Sequence, residues 1–217
     1  MSKRIFARGT SRGLSLLCMA ACGLAVALVI AGAPQINGDS VAFADHHEEG
    51  EGEGHHGAGD THGAVHIGKA VAVLRGTKGN EKVNGTVTFT QTDEGVLIEA
   101  HVNGLTPGKH GFHIHQFGDI SAADGTSTGG HFNPDGNDHA GPMSDKRHVG
   151  DLGNLEADAN GHAIYKRVDK YVQIHGEHSI LSRGITIHAG TDDLTSQPTG
   201  AAGSRIAVGV IGVAKTE

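Results

Sequence analysis

Two histidines lie two residues apart in the segment GFHIHQFGD, residues 111–119, which is otherwise rich in strand-forming residues. Side chains alternate between the two faces of a strand, so His113 and His115 are expected to project from the same face. A polar, solvent-facing side of a strand would explain a single histidine. Because the neutral imidazole ring is the commonest metal ligand, the pair instead indicates a metal site. His188, in the apolar segment ITIHAG, offers a third imidazole.

A second group of metal-binding side chains lies in the segment HFNPDGNDHAGPMSDKRHVGD, residues 131–151. Its Gly, Pro and Asn content is typical of a loop rather than of a core element. The segment contains His131, His139, His148 and Asp151. Three imidazoles and one carboxylate would supply the four ligands of a tetrahedral zinc ion, although a polar surface loop also accumulates such residues. Two separate groups, one on strands and one on a loop, would suit two metals.

Short strands must position these groups, and they begin near Ile67. Seven segments have the composition and spacing of strands in an all-β sandwich or barrel. They are residues 69–76, 83–91, 95–105, 109–118, 151–168, 185–190 and 203–215. Asn-Gly pairs at 84–85, 103–104 and 160–161 are expected at turns, the last of them inside the longest segment.

Two stretches between these segments, residues 119–150 and 191–204, are longer than a strand connection requires. Long loops in a compact domain are usually functional or disordered. The pattern therefore predicts one all-β domain of eight strands with two long functional loops, the first of which carries the second histidine group.

The first 44 residues have the pattern of a secretory signal peptide. Basic residues precede an apolar run, 14–33, and Ala42-Phe43-Ala44 matches a small-x-small cleavage site. Cleavage predicts an exported protein, periplasmic or extracellular. The apolar run is about as long as a membrane span requires, so the alternative is an uncleaved anchor that tethers the protein to a membrane.

The net charge limits the partners that the protein can bind, and the cysteine content limits its ability to form disulfides. Residues 1–44 hold four of the 17 basic and one of the 24 acidic residues, so the remainder carries a net charge of −10. This charge argues against nucleic acid or an anionic membrane as a partner. Both cysteines, Cys18 and Cys22, lie in the same N-terminal segment, so the remainder of the chain has no cysteine.

Residues 45–66 consist mainly of Gly, Glu and His and hold six of the chain's 17 histidines. This segment is expected to be disordered, because it has almost nothing to bury. Two interpretations stay open. The segment is either a solvated linker or a metal-gathering arm, since clustered imidazoles bind copper, zinc and nickel.

From about Lys69 to the C-terminus the chain resembles the copper/zinc superoxide dismutase family. The resemblance rests on five blocks in order, GFHIHQFGD, GGHFNPDGNDHAGP, KRHVGDLGN, ITIHAGTDDL and GAAGSRIAVGVIG. It implies that residues 67–217 form one enzyme domain, an eight-stranded Greek-key barrel or sandwich. It also implies that this domain converts superoxide to O₂ and H₂O₂ with copper and zinc as cofactors.

The resemblance implies a role for each candidate residue. Copper would be bound by His113, His115, His131 and His188, and zinc by His131, His139, His148 and Asp151. His131 would thus bridge the two ions, and it would take up and supply a proton during turnover. Asp192 would tie His113 to His139, and Arg205 would hold the anionic substrate beside copper.

Two departures from the family pattern are visible. Family members join the loop before the bridging histidine to the last strand by a disulfide, whereas the matching positions here are Asp124 or Gly125 and Val208. This absence leaves the oligomeric state open, a homodimer included. The loop 191–204 also has no lysine, which predicts weak long-range attraction of an anion.

Two other functions are compatible with a metal-binding barrel. A copper or zinc buffer or delivery module would bind the metals without turnover, but it needs neither Arg205 nor a bridging histidine. A copper-only relative is disfavoured because all four zinc positions are filled.

Overall fold

The computed structural model describes residues 67–215, which form an all-β domain. The main strands are β1 (Lys69–Gly76), β2 (Asn84–Thr92), β3 (Gly95–Asn103), β4 (Gly108–His115), β5 (Asp151–Ala157), β6 (Ala163–Asp169), β7 (Gly184–His188) and β8 (Arg205–Val210). A two-residue strand, β9 (Gly212–Val213), pairs with β1 at the end of the described chain. One 3-10 helical turn, Thr126–Thr128, lies in the loop between β4 and β5.

All strand pairs are antiparallel, and they close into a barrel. The order is β2-β3-β6-β5-β4-β7-β8-β1, and β1 pairs in turn with β2. The connections from β3 to β4 and from β6 to β7 each pass over two neighbouring strands, which is a Greek-key arrangement. The predicted fold class, an eight-stranded Greek-key barrel, is confirmed.

One of the three predicted turns is wrong. Asn84 and Gly85 lie inside β2, where Gly85 pairs with Val102 of β3. A Cβ atom on Gly85 would lie 2.3 Å from the carbonyl oxygen of His101, so this glycine allows a close approach of two backbones rather than a turn. The chain turns instead just before β2 begins.

Both predicted long loops are present. A third long connection, residues 170–183, was not predicted from the sequence. Its side chains Val172, Ile174 and Ile180 are buried in the hydrophobic core. It is as long as the predicted loop 191–204, but it has the apolar content of a strand without forming one, so its composition does not mark it as a loop.

β4 and β7 lie side by side and are buried on both faces, which explains how they carry polar side chains without solvent exposure. Phe112 and Ile187 point into the core. His113, His115 and His188 occupy the opposite face, which the long loops cover. Irregularities in the strand register occur next to His113 and next to His188, and such bulges commonly re-aim side chains at functional sites.

The predicted signal peptide, residues 1–44, and the histidine-rich segment, residues 45–66, lie outside the described residues. Within residues 67–215 no helix has the length and apolarity needed to cross a bilayer.

Candidate metal centre

Four imidazoles converge on the outer face of β4 and β7. This four-histidine group consists of His113, His115, His131 and His188. β4 contributes two members and β7 one, while the loop residue His131 joins them through an isolated bridge to His115. The ring centroids of His113 and His131 are 4.0 Å apart, and those of His113 and His188 are 5.0 Å apart.

Hydrogen bonds on the outer side of these rings determine which nitrogen faces the centre. The Nδ1 atom of His115 lies 2.8 Å from the Gly129 carbonyl oxygen, and Nδ1 of His188 lies 2.9 Å from the Gly203 carbonyl oxygen. A carbonyl only accepts, so both Nδ1 atoms must carry the proton. In the neutral rings each Nε2 atom then presents a lone pair to the centre of the group.

The centre is therefore rich in lone pairs and lacks a positive charge. The Nε2 atoms of His115 and His188 are 3.3 Å apart, and no proton is available between two neutral rings of this tautomer. Nδ1 of His113 and Nε2 of His131 are buried without any hydrogen-bond partner. Burial lowers the pKa of His113 to about 3 and that of His188 to about 4, so protonation does not supply the charge at neutral pH. A metal cation bound by these nitrogens would satisfy all of them.

The second group consists of His131, His139, His148 and Asp151. Around the Asp151 Oδ1 atom, the Nδ1 atoms of the three histidines lie at 2.8, 2.9 and 3.1 Å. Tetrahedral zinc with bonds of about 2.0 Å requires ligand atoms roughly 3.3 Å apart. The three nitrogens thus lie near this spacing from the carboxylate oxygen, and we call these four residues the aspartate group.

Electrostatics in the aspartate group also favour a cation. Burial by itself would raise the pKa of Asp151, but hydrogen bonds from His131, His139 and His148 outweigh it and lower the pKa. Burial would lower the pKa of His139, yet its contacts with Asp151 and Asp192 raise that pKa to about 9. A carboxylate held ionised in a buried pocket needs a positive partner, and in the metal-free protein protonated His139 occupies the place that a metal cation would take.

His131 is the one residue common to the two groups among residues 67–215. Its Nδ1 atom lies 2.8 Å from Asp151, while its Nε2 atom faces the four-histidine group without a partner. One imidazole thus presents one nitrogen to each group, an arrangement suited to a bridge between two metal ions.

Asp192 joins the two groups from the other side. Its Oδ2 atom accepts a hydrogen bond from Nε2 of His113 at 2.7 Å, and its Oδ1 atom accepts one from Nε2 of His139 at 2.9 Å. In the neutral form of each ring the proton therefore lies on Nε2, and the Nδ1 atom is available to a metal. Gly200 is required here, since a Cβ atom on it would lie 1.9 Å from Asp192 Oδ1.

Two amide side chains that the motifs do not single out hold this arrangement in place. The side chain of Asn154 makes two hydrogen bonds with the backbone of Asp192. It donates to the Asp192 carbonyl at 2.9 Å and accepts from the Asp192 N–H at 2.8 Å. The side chain of Gln197 makes the same two hydrogen bonds with the backbone of His139, both at 2.8 Å. Asn154 lies in the block KRHVGDLGN, but only the long-range contacts of the fold reveal either role.

Comparison with known proteins places the chain in a family. Residues 83–211, more than half of the chain, match the family described as copper/zinc superoxide dismutase (SODC). This chain belongs to the copper/zinc superoxide dismutase family. A solved structure described as that of the clock protein EA4 is 40% identical, with a TM-score of 0.65. The match covers 70% of this chain and 99% of that one.

The metals of the copper/zinc superoxide dismutase family are those predicted from the sequence, and the residues present fit them. Four imidazoles suit copper, and three imidazoles with one carboxylate suit zinc. The unpartnered buried nitrogens of His113 and His131 are the observation that carries this fit.

An open cavity of about 340 Å³ leads to one of the two groups. Its wall includes His115 and His188 together with the guanidinium-bearing Arg205. Arg205 lies opposite His188 on the neighbouring strand, and its Nη2 atom donates to the same Gly129 carbonyl that holds His115. Burial lowers the pKa of Arg205, but an arginine remains protonated at neutral pH.

The loop before His131 packs against β8 at the position where the family resemblance implies a disulfide. A Cβ atom on Gly125 would lie 2.8 Å from Cγ1 of Val208, so Gly125 rather than Asp124 occupies the position opposite this strand residue. The loop is held there by backbone hydrogen bonds, including Lys78 N–H to the Ala123 carbonyl at 2.8 Å.

The metal-free protein is expected to be most stable near pH 6.5. Histidines of the unfolded chain titrate near this value. Below it, the unfolded state binds protons that buried His113 and His188 do not, so stability falls with the pH by roughly 1 kcal/mol per pH unit for each group. Above it, the stabilisation from protonated His139 is lost as the pH rises towards about 9.

Urea unfolding of the chelator-treated protein at pH 5, 6.5 and 8.5 measures this dependence. A stability that is equal at the three pH values, or highest at pH 5, would contradict the burial of neutral imidazoles.

Proposed function

We propose that the protein is a superoxide dismutase, an enzyme that converts two superoxide ions to O₂ and H₂O₂. The observation that carries the proposal is the cavity. It connects solvent to two imidazoles of the four-histidine group and places Arg205 beside them. A site that only stored metal would also need an opening, but it would not need a fixed cation next to the metal.

Copper is assigned to the four-histidine group and zinc to the aspartate group. Copper in this position would supply the one-electron redox couple that dismutation requires. The assignment follows from the donors, since the aspartate group includes a hard carboxylate oxygen and the four-histidine group is all nitrogen. The open cavity also supports this assignment, because the substrate must reach copper and the cavity is lined by His115 and His188 of the four-histidine group.

Arg205 and His131 are assigned the two tasks that side chains perform in turnover. Arg205 binds the anionic substrate by charge-assisted hydrogen bonds, and its Nε atom is buried without a protein partner. His131 holds and releases a proton at Nε2, while its Nδ1 atom stays directed at the aspartate group. Asp192 keeps His113 and His139 in the tautomer that binds metal.

A metal buffer or delivery module is the second candidate. The relative described as the clock protein EA4 carries a name that does not describe an enzyme, so a role without turnover has to be tested. The two functions differ in their dependence on Arg205, because a buffer gains nothing from a cation beside its metal.

Replacing Arg205 by alanine is expected to lower the rate constant for superoxide loss about 10- to 100-fold, because a charge-assisted hydrogen bond contributes roughly 1.5–3 kcal/mol. Pulse radiolysis or stopped-flow measurements on protein loaded with copper and zinc would show it. Metal analysis should find the same copper and zinc content in the variant as in the unsubstituted protein.

The matched control is Arg75→Ala, which removes the same charge from an exposed position on β1 and should leave the rate unchanged. Full metal occupancy without superoxide loss above that of free copper would overturn the enzyme and favour the buffer.

Export to the periplasm or the extracellular space and cleavage after Ala44 stay predictions, and the oligomeric state stays open. So does a metal-gathering role for residues 45–66, which rests on their six histidines.

A further inference from the structure

We propose that Lys78, in the connection between β1 and β2, attracts the anionic substrate into the cavity. The inference rests on the proposed function and deepens it. The loop 191–204 has no lysine and places Thr199, Gly203 and Ser204 on the cavity wall. The lysine that lines this cavity comes from another part of the barrel.

Lys78 lies where such a charge would act. It lines the same cavity as His115, His188 and Arg205, and it is exposed to solvent. Among the described residues no carboxylate forms an ion pair with it. Because no neighbouring carboxylate neutralises its charge, this ammonium group can attract an anion that approaches the cavity.

The backbone around Lys78 is fixed to both walls of the cavity. Thr77 donates from its hydroxyl to the Arg205 carbonyl at 2.9 Å and from its backbone N–H to the Ile206 carbonyl at 3.0 Å. Lys78 itself donates its backbone N–H to Ala123 in the opposite loop at 2.8 Å. The lysine is thus held at the mouth by its main chain, and the residue is exposed to solvent.

Lys78 decides the sign of the charge on the cavity wall. Asp124 also lines the cavity, and hydrogen bonds from the side chain and backbone N–H of Thr126 lower its pKa and keep it ionised. Its negative charge opposes that of Arg205. Lys78 restores a net positive charge to the lining residues, so that the cavity attracts an anion despite the acidic chain around it.

The test compares Lys78→Gln with Lys82→Gln in the full chain loaded with copper and zinc. Lys82 is an exposed lysine of the same connection that does not line the cavity, so the two variants change the net charge equally. Lys78→Gln is expected to lower the rate constant for superoxide roughly two- to threefold at low ionic strength. The difference should vanish at about 0.5 M salt, and Lys78→Arg should retain the wild-type rate.

Azide titration of the cupric protein, followed by absorbance, provides a readout that does not depend on turnover. Weaker azide binding in Lys78→Gln, with Lys82→Gln unchanged, would support the role of Lys78 even if the loaded protein failed to dismute superoxide. Equal effects of the two substitutions on azide binding would overturn the proposal, as would a reduced superoxide rate that persists in high salt.

Discussion

Replacing Asp192 by asparagine is expected to weaken zinc binding by roughly 10- to 100-fold and to weaken copper binding as well. The carboxylate uses one oxygen for His113 and the other for His139. An asparagine offers one acceptor oxygen, and its amide nitrogen would face the second ring. That ring would have to accept rather than donate, which moves its proton onto the nitrogen that binds the metal.

Competition with a chromogenic chelator would measure both affinities. The neighbouring Asp193→Asn is the matched control, because Asp193 is exposed and accepts hydrogen bonds from Thr195 and Ser196 instead of from an imidazole. Equal losses in the two variants would show that charge near the site matters and that the bridge between the rings does not.

Replacing Arg147 by alanine is expected to lower the free energy of unfolding by about 3–5 kcal/mol. Arg147 is fully buried and pairs with Asp169 through contacts of 2.6 and 2.7 Å. Its other terminal nitrogen donates to the carbonyls of His148, Val149 and Asp151. The substitution leaves a buried carboxylate without its cation and frees the backbone that carries two members of the aspartate group.

Denaturant unfolding of the metal-free protein would measure this loss, and zinc affinity should fall with it. If the variant does not fold, Asp169→Asn provides a milder disruption of the same pair. Lys166→Ala is the control, because its ion pair with Glu99 has side chains that are 68% and 36% exposed and should contribute less than about 1 kcal/mol. A loss of similar size in Arg147→Ala and the control would refute a structural role for the buried pair.

The ligand candidates were predictable because their spacing is a local property of the chain. His113 and His115 share a face through the two-residue period of a strand, whatever surrounds that strand. The order of the five sequence blocks likewise predicted the barrel and its metals. The prediction of a turn at Asn84-Gly85 was wrong for the opposite reason. The need for glycine at position 85 comes from the close approach of the β3 backbone and not from its neighbours in the sequence.

The sequence by itself determined the fold class, the family resemblance and the candidate ligands of the two metal groups. The tertiary structure decided how they work together: which nitrogen of His131 faces which group, how Asp192 and Gly200 meet, and where Lys78 lies. These features depend on closure of the barrel, which brings residues from distant parts of the chain into contact. Contacts of that kind are set by packing across the whole domain, and no short segment of sequence encodes them.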